Sequence, residues 1–245
     1  MDKKVYTITD NALVATGTYR LVLSGEGTDG EFVHLDIPGY YLRRPLSLCD
    51  VEDGKLTLLY KTVGEGTRAL AALPAGTQVS VLTGLGKGFN ADACQRNALL
   101  VGGGMGTAPL LLLARRLKAQ GKHVTAILGF NTREEIVLRK EYEALCDTVL
   151  LTTVDGSEGI RGFVTDAMKE RAGQDGFAFD YFYTCGPMVM MRAVCRMLDI
   201  PGEASLEERM GCGAGFCYGC SIQTAQGPAR VCKDGPVFKK EDILW

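Results

Sequence analysis

The chain has 245 residues and carries 27 Lys and Arg against 29 Asp and Glu, a formal net charge of −2 that argues against nucleic-acid binding. Its 46% hydrophobic content and 31 glycines describe a globular, loop-punctuated protein of roughly one to three domains. No apolar run approaches the roughly 18 residues of a membrane span, Met1 to Tyr6 lack the apolar core of a signal peptide, and nine cysteines in such a chain predict the reducing cytoplasm.

Residues 1–97 read as short strands broken by turns. Val5 to Thr9, Tyr19 to Leu23, Phe32 to Ile37, Leu46 to Leu48, Leu56 to Lys61 and Gln78 to Leu82 are rich in β-branched and aromatic residues and often alternate. Gly25, Gly30, Gly39, Gly54 and Gly76 separate them, and only Thr67 to Leu73 reads as a short helix. Many short strands at near-regular spacing predict a small antiparallel barrel. Two stretches in it can carry chemistry. Arg43-Arg44-Pro45-Leu46-Ser47 sets a guanidinium fork beside a rigid proline, a geometry suited to a diphosphate. Gly64-Glu65-Gly66-Thr67 places two glycines and a threonine at a helix start, where N–H groups are free for an anion. The plainer reading of each is a strand end and a capped glycine turn. Their separation across one strand pair is what raises both.

From Ala98 to about residue 204 the pattern changes to alternating strands and helices. Ala98 to Val101 is an apolar strand that runs into Gly102-Gly103-Gly104-Met105-Gly106-Thr107 and the helix Ala108 to Lys118. His123 to Gly129, Thr148 to Thr153 and Tyr181 to Thr184 are further strands; Arg133 to Leu145, Gly162 to Arg171 and Met188 to Leu198 are helices. Repeated βα units predict a parallel sheet with helices on both faces, which takes ligands at the carboxyl ends of its strands. The glycine run and Cys185-Gly186-Pro187 both fall there. The run departs from the G-x-G-x-x-G fingerprint but keeps its strand–turn–helix context; a ligand-free turn is the competing reading. Cys185 reads as a residue near a cofactor's reactive ring, against the ordinary reading of a buried thiol. His34 and His123 lie in apolar strands and read as strand-face residues rather than ligands. Arg133 could meet a 2′-phosphate, and Glu134 and Glu135 beside it oppose that.

Residues 205–245 hold a different signal. Cys212, Cys217 and Cys220 stand at C-x4-C-x2-C, and Cys232 follows after eleven residues. This is the plant-type [2Fe–2S] spacing. Gly211, Gly213, Gly215 and Gly219 supply a backbone able to wrap closely around an inorganic core. A four-cysteine zinc site remains open, although it usually shows two C-x2-C pairs, as do disulfides or free thiols.

Taken in order, R-P-L-S, G-E-G-T, G-G-G-M-G-T-A-P and C-G-P resemble the ferredoxin–NADP reductase superfamily. With the C-terminal cysteines added, the whole chain is similar to the family of electron-transfer subunits of NAD-dependent dihydroorotate dehydrogenases. The resemblance implies an FAD-binding β-barrel (1–97), an NAD-binding α/β domain (98–204) and a small [2Fe–2S] module (205–245). It implies FAD against Arg44, Pro45, Leu46 and Ser47, flanked by Leu59, Tyr60 and Lys61, with Gly66 and Thr67 on its phosphates. It places NAD on Gly103, Gly104, Gly106 and Thr107 with Cys185 near the nicotinamide, and makes Cys212, Cys217, Cys220 and Cys232 the cluster ligands. Leu46 replaces the aromatic residue of the usual flavin motif, so flavin stacking is expected from elsewhere, with Tyr60 as the candidate. Trp245 is not assigned the flavin-covering role of a terminal aromatic. The implied function is electron transfer to NAD+ in pyrimidine biosynthesis, with an FMN-bearing catalytic subunit that holds the dihydroorotate site, two copies of each chain, and no membrane or nucleic-acid partner. Alternatives are a subunit of a transhydrogenase, hydrogenase or sulfide-reducing complex, or a zinc-stabilised nucleotide-binding regulatory module.

Overall fold

The computed structural model describes residues 1–25, 31–174 and 178–245. Gly30, read from the sequence as a turn residue, lies outside the described residues. The chain forms two compact units. The first comprises residues 1–88, 207–237 and 244; the second comprises 89–206, 238–243 and 245.

In the first unit, β1 (Asp2–Ala15), β2 (Thr18–Ser24), β3 (Phe32–Leu35), β4 (Arg44–Glu52), β5 (Lys55–Lys61) and β6 (Gln78–Leu85) close a barrel in the order β1-β2-β5-β4-β3-β6. Every pair is antiparallel. Alternation in the sequence becomes inside and outside of the barrel. Leu21 and Leu23 of β2, Leu56 and Leu58 of β5, and Val79 and Val81 of β6 are all buried. Each apolar side chain so buried contributes about 1.5–3 kcal/mol relative to exposure. The only α-helix of this unit among the described residues is α1 (Glu65–Ala71), which follows β5. Residues 207–237 add the cysteine loop and a hairpin of β13 (Ser221–Thr224) with β14 (Gly227–Arg230).

The second unit is a seven-stranded sheet in the order β10-β9-β8-β7-β11-β12-β15. Its strands are β7 (Asn97–Gly103), β8 (His123–Phe130), β9 (Thr148–Thr153), β10 (Ile160–Arg161), β11 (Tyr181–Cys185), β12 (Gly202–Ser205) and β15 (Val237–Lys239). The strands from β10 to β12 run parallel. α2 (Thr107–Ala119) packs with α3 (Arg139–Leu145), and α4 (Val164–Arg171) packs with α5 (Met188–Met197). Val164, Ala167 and Met168 of α4 and Val194 of α5 share one core with Leu99, Val101, Ile127 and Phe182 of the strands.

The helix expected over Arg133 to Leu145 is in fact two pieces. A 3-10 turn covers Arg133–Glu135, and α3 begins at Arg139. Val137 is drawn into the core, and Leu138 takes a left-handed φ of 61°, which ends any continuous helix there. Four short features were not read from the sequence: β10, β12, the β13–β14 hairpin and β15. No helix among the described residues is long and apolar enough to cross a membrane.

Chain order around β7 creates a topological switch point. From β7 the chain moves to β8 on one side and later returns through β11 on the other. The crevice outside the carboxyl ends of β7 and β11 is where such sheets take ligands. The loop that enters this crevice is anchored by Tyr142, a fully buried residue of α3 whose hydroxyl donates to the Thr107 carbonyl at 2.7 Å. Tyr142→Phe is expected to lower unfolding free energy by about 1 kcal/mol, read as a lower midpoint in urea denaturation; an unchanged midpoint would show that this bond does not anchor the loop.

Candidate cofactor sites

The two arginines ahead of Pro45 have separate roles. Arg43 is a structural brace. It donates to the Ser80 carbonyl at 2.9 Å, to Ser80 Oγ at 3.1 Å and to its strand neighbour's carbonyl at His34 at 3.3 Å, and it pairs with Asp36. Arg44 turns instead toward α1. A Cβ built on Gly66 would come 2.5 Å from Nη2 and 2.7 Å from Nε of Arg44, so only glycine lets the guanidinium lie there. Arg44 also bonds the Leu42 carbonyl and stands 5.5 Å from the centre of the Tyr40 ring. The R-P-L-S and G-E-G-T stretches therefore meet in space. Within the second stretch, the Gly64 N–H donates to Thr67 Oγ1 at 3.1 Å while the Thr67 hydroxyl donates to the Gly64 carbonyl at 3.0 Å.

Pro45, Leu46 and Ser47 are half-buried along β4, opposite His34, Val33 and Phe32 of β3. Leu59 and Tyr60 are buried, and Lys61 is half-buried. Tyr60 does not offer the free stacking face expected of it. It is 2% exposed, lies 5.5 Å from Tyr19 at an interplanar angle of 20°, and donates its hydroxyl to Asn11 Oδ1 at 2.8 Å. Burial pushes its phenol pKa well above the usual value. Tyr40, missed in the sequence, is the ring that meets Arg44; its only signal was an aromatic pair just before the double arginine.

In the second unit, β7 runs through a 3-10 turn at Gly104–Gly106 into α2. A Cβ on Gly106 would sit 2.2 Å from the Cys185 carbonyl oxygen and 2.5 Å from the Gly186 nitrogen. One on Gly103 would meet Met190 Sδ at 2.4 Å and Pro187 Cδ at 3.1 Å. The glycine run and Cys185-Gly186-Pro187 are thus pressed together at the switch point. The Thr107 hydroxyl donates to the Gly104 carbonyl at 2.8 Å, which holds the turn closed. Cys185 is 3% exposed at the end of β11. Beyond β8, Arg133 pairs with Glu134 at 3.6 Å and Asn131 donates to Glu135 at 2.9 Å. His123 is an exposed residue at the start of β8.

The cysteine loop is built to present N–H groups to sulfur. Cys212 Sγ accepts from Ala214 at 3.4 Å, Phe216 at 3.3 Å and Cys217 at 3.4 Å. Cys217 Sγ accepts from Gly219 at 3.5 Å, and Cys220 Sγ accepts from Cys232 at 3.4 Å. Positive φ at Gly213 (67°), Gly215 (85°) and Tyr218 (58°) turns successive N–H groups inward. Burial raises the pKa of Cys212, but the N–H groups of Ala214, Cys217 and Phe216 outweigh it and bring the thiol down to about 6. Burial, then the neighbouring Cys220, push Cys232 up to about 12. The Cys217 N–H thus turns on Cys212 and the Cys232 N–H on Cys220. Among the described residues no three Cys, His, Asp or Glu side chains gather as one metal ion requires. Backbone N–H groups turned on these sulfurs suit an iron–sulfur cluster, which hydrogen bonds to sulfur tune. The loop is braced by Arg230, which pairs with Asp234 at 3.0 Å, donates to the Gly215 carbonyl at 2.9 Å and lies 5.0 Å over Tyr218. Phe216 and Tyr218 are 75% and 65% exposed.

His34 belongs to this surroundings, which its apolar neighbours Val33 and Leu35 concealed in the sequence. It is fully buried, and neither ring nitrogen has a hydrogen-bond partner of normal geometry. A buried polar group left so costs about 1–3 kcal/mol. Burial, then the charge of Arg43, lower its pKa, although carbonyls of Arg43 and Cys212 lie near enough to pull the other way.

Comparison with known proteins agrees with this geometry. The model of the iron–sulfur cluster binding domain of dihydroorotate dehydrogenase B matches residues 207–244, and that of the oxidoreductase NAD-binding domain matches residues 100–196. A dihydroorotate dehydrogenase B (NAD(+)) electron transfer subunit from Fusobacterium nucleatum subsp. nucleatum is 36% identical over 97% of this chain and 96% of its own length. The one from Geobacillus sp. (strain WCH70) is 40% identical over 100% of this chain and 99% of its own. Among solved structures, the NADH-dependent reduced ferredoxin–NADP oxidoreductase studied for flavin-based electron bifurcation superposes with a TM-score of 0.88 at 29% identity, covering 98% of this chain and 90% of that one. With full-length identity at this level, the chain belongs to the family of dihydroorotate dehydrogenase B electron transfer subunits.

Proposed function

We propose that this chain is an oxidoreductase subunit that passes electrons from a dihydroorotate-oxidising partner to NAD+ through a [2Fe–2S] cluster and FAD, in pyrimidine biosynthesis. The observation that carries it is the cysteine loop, whose backbone N–H groups converge on the sulfurs of Cys212, Cys217 and Cys220. When bound, the flavin exchanges hydride with the nicotinamide and single electrons with the cluster, chemistry that no side chain here provides. The chain's own groups bind and orient. Arg44, seated over Gly66, offers a charge-assisted fork for the FAD diphosphate. Pro45, Leu46, Ser47 and Thr67 line the same site, with Leu59, Tyr60 and Lys61 behind it. Gly103, Gly104, Gly106 and Thr107 leave backbone close approach for the NAD diphosphate, beside Cys185. Arg133, engaged by Glu134, is withheld from a 2′-phosphate, which favours NAD over NADP.

A subunit of this family works with a catalytic partner. We take that partner to be an FMN-bearing dihydroorotate dehydrogenase subunit, with two copies of each chain. No disulfide joins any of the nine cysteines, and we take the setting to be reducing and cytoplasmic. The likeness to the bifurcating oxidoreductase favours one second reading, a relay in a complex of that kind.

Three outcomes follow from the assignments. Cys217→Ser should abolish the visible cluster absorbance and the reduced-state EPR signal with FAD still bound, whereas Cys94→Ser and Cys146→Ser, outside the loop, should change neither; an intact cluster spectrum in Cys217→Ser removes it as a ligand. Arg44→Ala should weaken FAD binding by about one to two orders of magnitude, the equivalent of a charged hydrogen bond of about 1.5–3 kcal/mol. Equal flavin retention on dilution would exclude Arg44 from the site. The isolated chain should oxidise NADH with an artificial acceptor but leave dihydroorotate unchanged, and adding the FMN-bearing subunit should confer NAD-linked dihydroorotate oxidation in a stable complex. If the two loaded chains neither associate nor couple, the partner assignment fails; copurification with a ferredoxin-dependent chain would support the second reading.

A further inference from the structure

His34 has no place in the roles above, yet its setting is specific. It lies on β3 opposite Pro45 of β4 and Leu82 of β6. Cross-strand partners share a face of the barrel wall, so His34 stands beside the strand that carries the FAD-site residues Pro45 and Ser47. Its own backbone is fixed, because Arg43 donates to the His34 carbonyl while bonding Ser80. The ring is covered by the cysteine loop. A Cβ on Gly213 would come 2.4 Å from His34 Nδ1, 3.0 Å from Cε1 and 3.1 Å from Cγ. Gly213 is the neighbour of Cys212, and its φ of 67° is the turn that lets the backbone fold over the imidazole. Phe32, two residues before His34, is covered by the other end of the module, since the space at Gly86 is shared by Phe32 and Pro236.

A buried imidazole whose nitrogens have no partner of normal geometry, with only the Arg43 and Cys212 carbonyls nearby, calls for an explanation, and a ligand that completes its hydrogen bonding is one. Cluster sulfurs are acceptors, and hydrogen bonds to them set how readily a cluster takes an electron. We propose that His34 is a positioning residue for the iron–sulfur cluster, donating a ring N–H to its sulfur face and seating the Cys212 loop against the strand pair that carries the FAD site. The inference rests on the cluster reading of the cysteine loop. It differs from a packing role in one respect: an apolar side chain of similar size fills the space but supplies no donor.

The test uses the full chain loaded with FAD and cluster. His34→Leu should keep FAD, show a cluster midpoint shifted to lower potential in an EPR-monitored redox titration, and give altered g-values of the reduced cluster. His34→Gln, which restores a donor, should return the midpoint most of the way. The chain has two histidines, so in a His123→Gln background 15N-histidine labels His34 alone. Pulsed EPR of the reduced cluster should then show a 15N hyperfine coupling. A His34→Leu protein with an unchanged midpoint and unchanged g-values would overturn the proposal. If His34→Leu loses the cluster, the labelled protein decides: a 15N coupling upholds the donor and its absence overturns it. A wild-type protein with no cluster would instead sink the underlying reading, so the two failures are distinguishable.

Discussion

Four cysteine sulfurs are gathered between Gly211 and Asp234, and any charge they take on must be met by the local structure. The answer is mostly backbone. Three N–H groups turn on Cys212, and left-handed residues at Gly213, Gly215 and Tyr218 make that convergence possible. Cys220 and Cys232 lie deeper, and at Cys232 burial disfavours charge. Cys212 and Cys232 thus differ in their readiness to ionise. Arg230 ties the halves of the loop together through Asp234 and the Gly215 carbonyl.

The same economy governs the other sites. In each, glycine marks a place where a second element comes too near for a side chain. Gly66 admits the Arg44 guanidinium, and Gly106 admits the Cys185 carbonyl. One approach gathers a positive charge near a helix start. The other binds two βα loops into a single floor at the sheet's switch point. Neither depends on a nucleophile or an acid–base pair, in keeping with a protein whose work is to hold cofactors.

The sequence made the repeated elements legible because they rest on local periodicity. All six barrel strands, the parallel βα units and the four-cysteine spacing were visible as patterns. Short elements decided by tertiary pairing were not: β10 has two residues, and β15 is joined to β12 only by the returning C-terminus. The false continuity over Arg133 to Leu145 arose because polar composition cannot reveal a left-handed Leu138. Residue type alone does not separate Arg43 from Arg44; the family resemblance singled out Arg44, and the two differ in what folds against them. Tyr60 is the instructive case. Its residue type suited a stacking platform, and the fold engaged it with Tyr19 and Asn11. His34 shows the converse, an apolar sequence neighbourhood concealing a polar burial site.

The returning C-terminus has a consequence for how the protein is made. β12 lacks its outer neighbour until residues 237–239 are synthesised, and those residues come shortly after Cys232. On the ribosome the sheet therefore keeps an open edge until residue 239 has been added. The cysteine segment is the span between β12 and β15, strands that lie side by side. Once the edge closes, both ends of that span are fixed and it becomes a tethered loop. A nascent chain stalled short of residue 237 would thus present its cysteines on an untethered end.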